Sequence, residues 1–270
     1  MPSIRVGTEN EVRAMDTRFF LLTCGTGDLD QSALTPGRGA GARVRIPIPA
    51  YLLQTEGRTI LFDTGMPDFA YTGDPRALAH EGEPDPPWAI PYGGAADTIA
   101  GQLATLGLRP ADVDLVVNSH LHLDHCGGNL HFAHCPLLLQ AAELEAARAL
   151  GSPYQSFTGW NEPGLRYQTI LGDHTLAPGV ELLATPGHTP GHQSLLLRLP
   201  NSGVLLVTFD AVYTRALWEA DELGAAADPA AARASVDRLR AVASQTGAQV
   251  VCGHDSEPWA ALRHPPAYYD

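Results

Sequence analysis

Asn118-Ser119-His120-Leu121-His122-Leu123-Asp124-His125-Cys126-Gly127-Gly128 is the stretch that decides how the chain is read. An apolar run over residues 113–117 precedes it and reads as a buried β-strand, which Asn118 and Ser119 bring to an end. His120 and His122 are two apart, so in an extended segment both imidazoles point to one side and can share an ion. Asp124 and His125 follow where the chain turns and can reach a second ion beside the first. Gly127 and Gly128 leave room for the backbone to bend close to such a site. Imidazole and carboxylate together suit zinc or a similar first-row ion. With 11 histidines in 270 residues, H-x-H-x-D-H arises by accident in about one chain in a thousand, so the spacing carries weight.

Three more donors stand directly after apolar stretches. His188 lies in Thr185-Pro186-Gly187-His188-Thr189-Pro190-Gly191-His192, between two strand-like segments. Asp210 follows the run 204–209, and His254 follows Val250-Val251-Cys252-Gly253. Strand ends are where the ligand crevices of α/β sheets gather. With the central stretch this makes seven donors: His120, His122, Asp124, His125, His188, Asp210 and His254. That number suits two ions sharing one carboxylate, with positions left for water and substrate. Asp63 either accepts a hydrogen bond from a ligand histidine or is a turn residue at a strand end. His192 either orients His188 or packs in the core, and Cys126 is either a neighbour of the site or a small core residue. His80, His131, His134, His174 and His264 stand in unpatterned surroundings and are read as non-ligands.

A hydrophobic fraction of 44% is enough for a sizeable core, and no linker or repeat divides the chain, so residues 1–270 read as one domain. The net charge of −13 disfavours nucleic acid and anionic membrane surfaces as partners. No stretch approaches a membrane span, and residues 1–12 lack the apolar core of a signal peptide. Cys24, Cys126, Cys135 and Cys252 show no C-x-x-C spacing, which fits free thiols in a reducing cytoplasm.

Residues 1–18 read as a loose arm, 19–23 as a short strand, and 25–41, with Pro36 and five glycines, as loop. Pro47 and Pro49 confine the stretch 44–53 to an edge or irregular strand, joined through Gly57-Arg58 to 59–62 as a hairpin. Residues 68–92 have no periodic pattern and read as a long loop. It is either a wall of the substrate cleft, with Met66, Phe69 and Trp88 supplying apolar contact, or a segment those side chains pack against the body. Ile99, Leu103 and Leu106 are spaced for a helix that Gly107 stops, and residues 141–150 make a second. Asp228-Pro229 opens a longer helix whose Ala232, Val236, Leu239 and Val242 share a face, with Gly247 closing it. Strand patterns at 136–139, 180–184, 194–199, 203–209 and 248–252 complete an α/β architecture of mixed sheets flanked by helices.

H-x-H-x-D-H, a later lone histidine, a lone aspartate and a final Gly253-His254 resemble the metallo-β-lactamase superfamily. Further pieces are similar to the quorum-quenching N-acyl-homoserine lactonases. They are Ser32-Ala33-Leu34-Thr35-Pro36-Gly37, Asp63-Thr64-Gly65-Met66-Pro67, the His188 segment on through Gln193-Ser194-Leu195, Asp210-Ala211-Val212-Tyr213-Thr214 and Gly253-His254-Asp255. The likeness runs over residues 19–264, and it departs at Leu123, where the best-known relative has an aromatic residue, and in the 68–92 loop. It implies an αβ/βα four-layer sandwich with a dinuclear metal centre between the halves. By position, His120, His122 and His188 hold one ion, Asp124, His125 and His254 the other, and Asp210 bridges them. The ions are expected to be Zn2+, with Mn, Fe or Co as alternatives. Tyr213 is expected on the substrate carbonyl, and Asp124 is the residue that delivers the leaving-group proton. The implied activity is opening of the lactone ring of N-acyl-homoserine lactones by a hydroxide held between the ions, in a cytoplasmic monomer or homodimer. Another lactonase, pyridoxolactonase-like, and a glyoxalase II-type thioester hydrolase are the alternatives on the same scaffold.

Overall fold

Alternate residues of the first strand face different neighbours, and from this the layering follows. The computed structural model describes residues 17–72, 89–149 and 159–270. In β1 (Arg18–Asp30), Phe19 and Leu21 enter one apolar cluster while Phe20 and Leu22 enter another, so both faces of its sheet are covered. β2 (Arg43–Thr55), β3 (Arg58–Phe62), β4 (Ala89–Tyr92), β5 (Leu115–Val117), β6 (Pro136–Gln140) and β7 (Arg166–Ile170) complete a seven-stranded sheet in the order β4-β1-β2-β3-β5-β6-β7. A second, five-stranded sheet contains β8 (His174–Ala177), β9 (Val180–Ala184), β10 (Gln193–Leu199), β11 (Gly203–Phe209) and β12 (Gln249–Cys252), in the order β12-β11-β10-β9-β8.

The helices are α1 (Gln31–Leu34), α2 (Phe69–Thr72), α3 (Ile99–Thr105), α4 (Leu123–Cys126), α5 (Ala141–Arg148), α6 (Arg215–Ala220), α7 (Pro229–Thr246) and α8 (Ser256–Ala260). Phe19, Leu21, Tyr51 and Phe62 of the first sheet meet Leu195, Leu197, Leu205 and Val207 of the second in one buried cluster. Ile99 and Leu103 on α3 pack over Phe20, Leu22 and Leu52 on the first sheet's outer face. Leu239 on α7 packs over Leu183, Leu196 and Leu206 on the second. The order of layers is therefore helix, sheet, sheet, helix, the sandwich the resemblance implies. α7 starts and stops where its sequence says. The Asp228 carboxylate accepts the N–H groups of Ala230 and Ala231, and Gly247 closes the helix at a left-handed φ of 66°. No helix among the described residues is long and apolar enough to cross a membrane.

One expectation is corrected. Residues 25–30 are strand rather than loop, because β1 continues past a bulge between Thr23 and Thr26 and pairs on one side with β2 and on the other with β4. Those two neighbours satisfy its backbone groups in spite of the glycines. Of the two readings of β2, irregular rather than edge is the one that holds: it lies between β1 and β3, and its register with β1 shifts between Pro47 and Pro49. Its prolines fall where only β1 is beside it, the β3 partners starting at Tyr51. There the Pro47 carbonyl accepts from His254 Nδ1, on the side a second strand would otherwise fill. The stretch 68–92 opens with α2 and closes with β4, while residues 73–88, including His80 and Trp88, lie outside the described residues, as does the arm over 1–16. Met66 is buried against the α3 side of the first sheet and Phe69 is exposed.

Candidate metal centre

Strand ends present all seven donors. β5 runs through Asn118 and Ser119 into the segment that carries His120 and His122, and α4 then turns Asp124 and His125 back over the same space. The loop between β9 and β10 holds His188, and β12 leads to His254. β11 ends at Phe209 with φ 46°, and β3 is followed by Asp63 with φ 58°. These left-handed values are uncommon outside glycine, and each marks a sharp turn at which a carboxylate, Asp210 or Asp63, enters the site. Gly127 passes so near the Asp63-Thr64-Gly65-Met66-Pro67 segment that a Cβ there would fall 2.2 Å from Pro67 N. The two segments are joined through backbone bonds of 2.8 Å from Thr64 N to His125 O and from Gly127 N to Gly65 O.

The donors converge as two groups. His120, His122, His188 and Asp210 make one, and Asp124, His125 and His254 the other, with the ligand atoms of each group within 4.8 Å of one another. His188 Nε2 lies 3.2 Å from His120 Nε2 and 3.0 Å from His122 Nδ1. Asp210 faces both groups: Oδ2 is 3.3 Å from His188 Nε2, while Oδ1 is 3.2 Å from His125 Nε2 and 3.1 Å from His254 Nε2. Asp124 Oδ2 stands 3.6 Å from each of those last two nitrogens. His125 Nε2 and Asp210 Oδ1 are buried without a hydrogen bond. Buried polar atoms are rarely left so, and cations between these groups would satisfy both.

Four of the histidines, His120, His125, His188 and His254, are held on the nitrogen that faces away from the centre. His125 Nδ1 is 2.8 Å from Asp63 Oδ2, His254 Nδ1 is 2.9 Å from the Pro47 carbonyl and His188 Nδ1 is 3.2 Å from the Ala225 carbonyl. Such oxygens accept, so Nδ1 carries the proton and Nε2 keeps its lone pair for a metal. His120 Nδ1 lies 3.0 Å from Ser119 Oγ. Burial holds His120 well below its ordinary value and His188 down at about 4, which keeps both imidazoles neutral at pH 7. Burial pushes the Asp210 carboxyl up, but His125, His254 and His188 outweigh it and hold it well below the usual range. Burial likewise opposes charge on His125, and Asp210, Asp124 and Asp63 overcome it. Three carboxylates around one imidazole make the centre favourable to a cation.

Asp63 is thus the hydrogen-bond partner of His125, one of the seven candidate donors. His192 packs in the core and orients Asp210 rather than His188: its Nε2 accepts the Asp210 N–H at 3.1 Å, and its Nδ1 faces Thr185 Oγ1 at 2.9 Å. Cys126 is a core residue, fully buried in an apolar cluster. His131 pairs with Asp68, His134 with the Val113 carbonyl and His264 with two carbonyls; these and His174 stand outside both donor groups. The buried Tyr213 places its hydroxyl 2.9 Å from His188 Nδ1 and 3.1 Å from the Ala225 carbonyl. No sequence pattern singles out Glu143, which is fully buried on α5 behind the ligand loops. A cleft of 480 Å³ reaches His254 between Leu34, Val44, Ile46, Thr214 and Leu217.

The two-sheet sandwich and the paired donor groups agree with the family model that fits residues 44–254, and the chain belongs to the metallo-beta-lactamase superfamily. Within it, the chain is 36% identical over 251 residues to an N-acyl homoserine lactonase of Bacillus cereus, covering 93% of this chain and 98% of that one. It is 37% identical to the N-acyl homoserine lactonase AttM of Azorhizobium caulinodans, covering 94% and 99%. A solved N-acyl homoserine lactone hydrolase, with its product N-hexanoyl-L-homoserine at the catalytic metal centre, matches with a TM-score of 0.85 at 35% identity, covering 93% and 98%.

Proposed function

We propose that the protein is a dinuclear metal-dependent lactonase that opens the ring of N-acyl-homoserine lactones. The observation that carries this is the Asp210 carboxylate, with one oxygen facing the His120, His122 and His188 group and the other facing His125 and His254. His120, His122 and His188 would hold one ion, Asp124, His125 and His254 the other, and Asp210 both. The nitrogen-rich donor set suits zinc. When bound, such a pair supplies a water that is nucleophilic near neutral pH and polarises a carbonyl.

The side chains around it have separable tasks. Asp124 directs Oδ2 at His125 and His254, and its side chain is 27% exposed, the most open of the carboxylates at the centre. We assign it the proton that the departing ring oxygen needs. Tyr213 is assigned to the lactone carbonyl, through the O–H that otherwise rests on the Ala225 carbonyl. Leu34, Val44, Ile46 and Leu217 give the cleft beside His254 an apolar side that suits an acyl group, Glu222, Asp255 and Glu257 also line it, and its arginines are already paired, Arg38 with Glu222 and Arg45 with Asp28. A neutral lactone fits those surroundings better than an anionic glutathione thioester. Four buried free thiols are consistent with work in the cytoplasm.

Ring opening of a lactone releases acid. The metal-loaded protein in a pH-stat should consume base in the presence of an N-acyl-homoserine lactone and stop when a chelator removes the metal. Base uptake no faster than in protein-free buffer would refute the assignment.

A further inference from the structure

We infer that Glu143 is the positioning residue that sets the separation of the two loops carrying the three imidazoles of the first ion. The inference rests on the assignment of His120, His122 and His188 to that ion. These histidines come from different sheets, the first two after β5 and the third between β9 and β10. Their ligand nitrogens nevertheless stand 3.0–3.2 Å apart. Something must hold one loop against the other to a few tenths of an ångström, since a metal site tolerates only about 0.5 Å of error.

Glu143 reaches both loops. Its Oε1 accepts the N–H of Leu121, the residue between His120 and His122, at 2.9 Å. Its Oε2 accepts the hydroxyl of Thr189, next after His188, at 2.8 Å and the N–H of Gly191 at 3.0 Å. The side chain is fully buried. A carboxylate in that position is costly unless donors surround it, and here one oxygen is committed to each loop. A second observation agrees. A Cβ on Gly191 would fall 2.2 Å from Glu143 N and 2.5 Å from Glu143 Cβ, so the His188 loop lies directly on the first turn of α5. Only glycine permits that approach.

Glutamine keeps the shape but has one acceptor oxygen. Whichever way its amide turns, an NH2 group faces either the Leu121 N–H or the Gly191 N–H, and one loop is released. The apo protein should be titrated with Co2+ against a competing chelator, reading the visible absorption of the bound metal. In wild type two ions are taken up, and His188→Ala identifies the phase that belongs to the first. Glu143→Gln should weaken that phase about 10- to 100-fold, as lost partners of metal ligands do, and leave the other phase within about twofold. High metal should then restore most of kcat. Loss of both phases by the same factor, or of neither, overturns the inference. Should Glu143→Gln fail to fold, Thr189→Val removes one donor and leaves the two backbone ones. It should weaken the same phase by a smaller factor, and unchanged affinities in it overturn the inference. Wild-type protein that binds no metal would instead sink the dinuclear reading itself.

Discussion

Asparagine in place of Asp63 changes a single atom and should disable the second ion's site. Asp63 is fully buried and accepts three hydrogen bonds: Ser119 N–H at 2.7 Å on Oδ1, and Ser119 Oγ–H at 2.7 Å and His125 Nδ1–H at 2.8 Å on Oδ2. Its φ of 58° is one that asparagine tolerates better than most residues, so Asp63→Asn adds little backbone strain. The amide oxygen takes over the Ser119 N–H and the NH2 group replaces Oδ2. The serine hydroxyl can turn to accept. His125 can meet the amide only by accepting through Nδ1, which moves its proton to Nε2, the atom 3.2 Å from Asp210 Oδ1. A protonated Nε2 cannot ligate. The expected cost is about 10- to 100-fold in affinity for the ion held by His125, or about 1.4–2.7 kcal/mol. The fold would lose about 1–3 kcal/mol more from imperfectly paired buried groups. That is within the 5–15 kcal/mol typical of a domain, so the variant should still fold. Metal content after dialysis against a graded chelator, alongside a thermal melt, measures both. A variant that keeps two ions at wild-type affinity would refute the tautomer argument.

Tyr213→Phe should retain both ions, because the Ala225 carbonyl still accepts from His188 Nδ1 at 3.2 Å, while kcat falls about 10²- to 10³-fold through loss of one aimed donor. Loss of the His188 ion would show instead that the phenol only supports the imidazole. Burial raises the pKa of all four thiols, Cys252 up to about 12, so a disulfide reagent at pH 8 should label the native protein slowly and every cysteine once urea unfolds it. Rapid labelling of the native form would contradict the burial. Leu239→Ala, at a fully buried contact between α7 and the second sheet, should lower stability by about 2–5 kcal/mol in a urea titration. A shift below about 1 kcal/mol would mean that α7 is not part of the cooperative core.

The donors were legible in the sequence because four of them share one tight motif, His120 to His125, and the other three stand shortly after strand-like runs. The ends of α7 were legible for a similar reason, since Asp228, Pro229 and Gly247 act on neighbouring backbone. What was hidden depends on residues far away. β1 extends through Thr26 to Asp30 because β4, some sixty residues later, pairs with it, and no local propensity records that. Pro47 and Pro49 argue for an edge or irregular strand, and the structure answers with a register shift beside them and no β3 neighbour over their half of β2. Glu143 lies in an Ala- and Glu-rich helix where an exposed carboxylate is the ordinary expectation, and only the loops folded over α5 make it buried.

The centre draws four donors from the first sheet's end and three from the second's, so it lies across the joint of the sandwich. The joint is also held by bonds that involve no ion. Gln193 N–H meets the Ser119 carbonyl at 3.0 Å, its side-chain amide meets the Asn118 carbonyl at 2.8 Å, and its amide oxygen accepts from Gln140 at 3.0 Å. Beside them the Glu143 carboxylate accepts from Leu121 N–H, Thr189 Oγ1–H and Gly191 N–H. These contacts fix Asn118 and Ser119 immediately before His120, and they fix Gln193 immediately after His192, which in turn holds Asp210. Hydrogen bonds to Asn118, Ser119, Leu121, Thr189 and Gly191 thus anchor the segments that carry His120, His122 and His188.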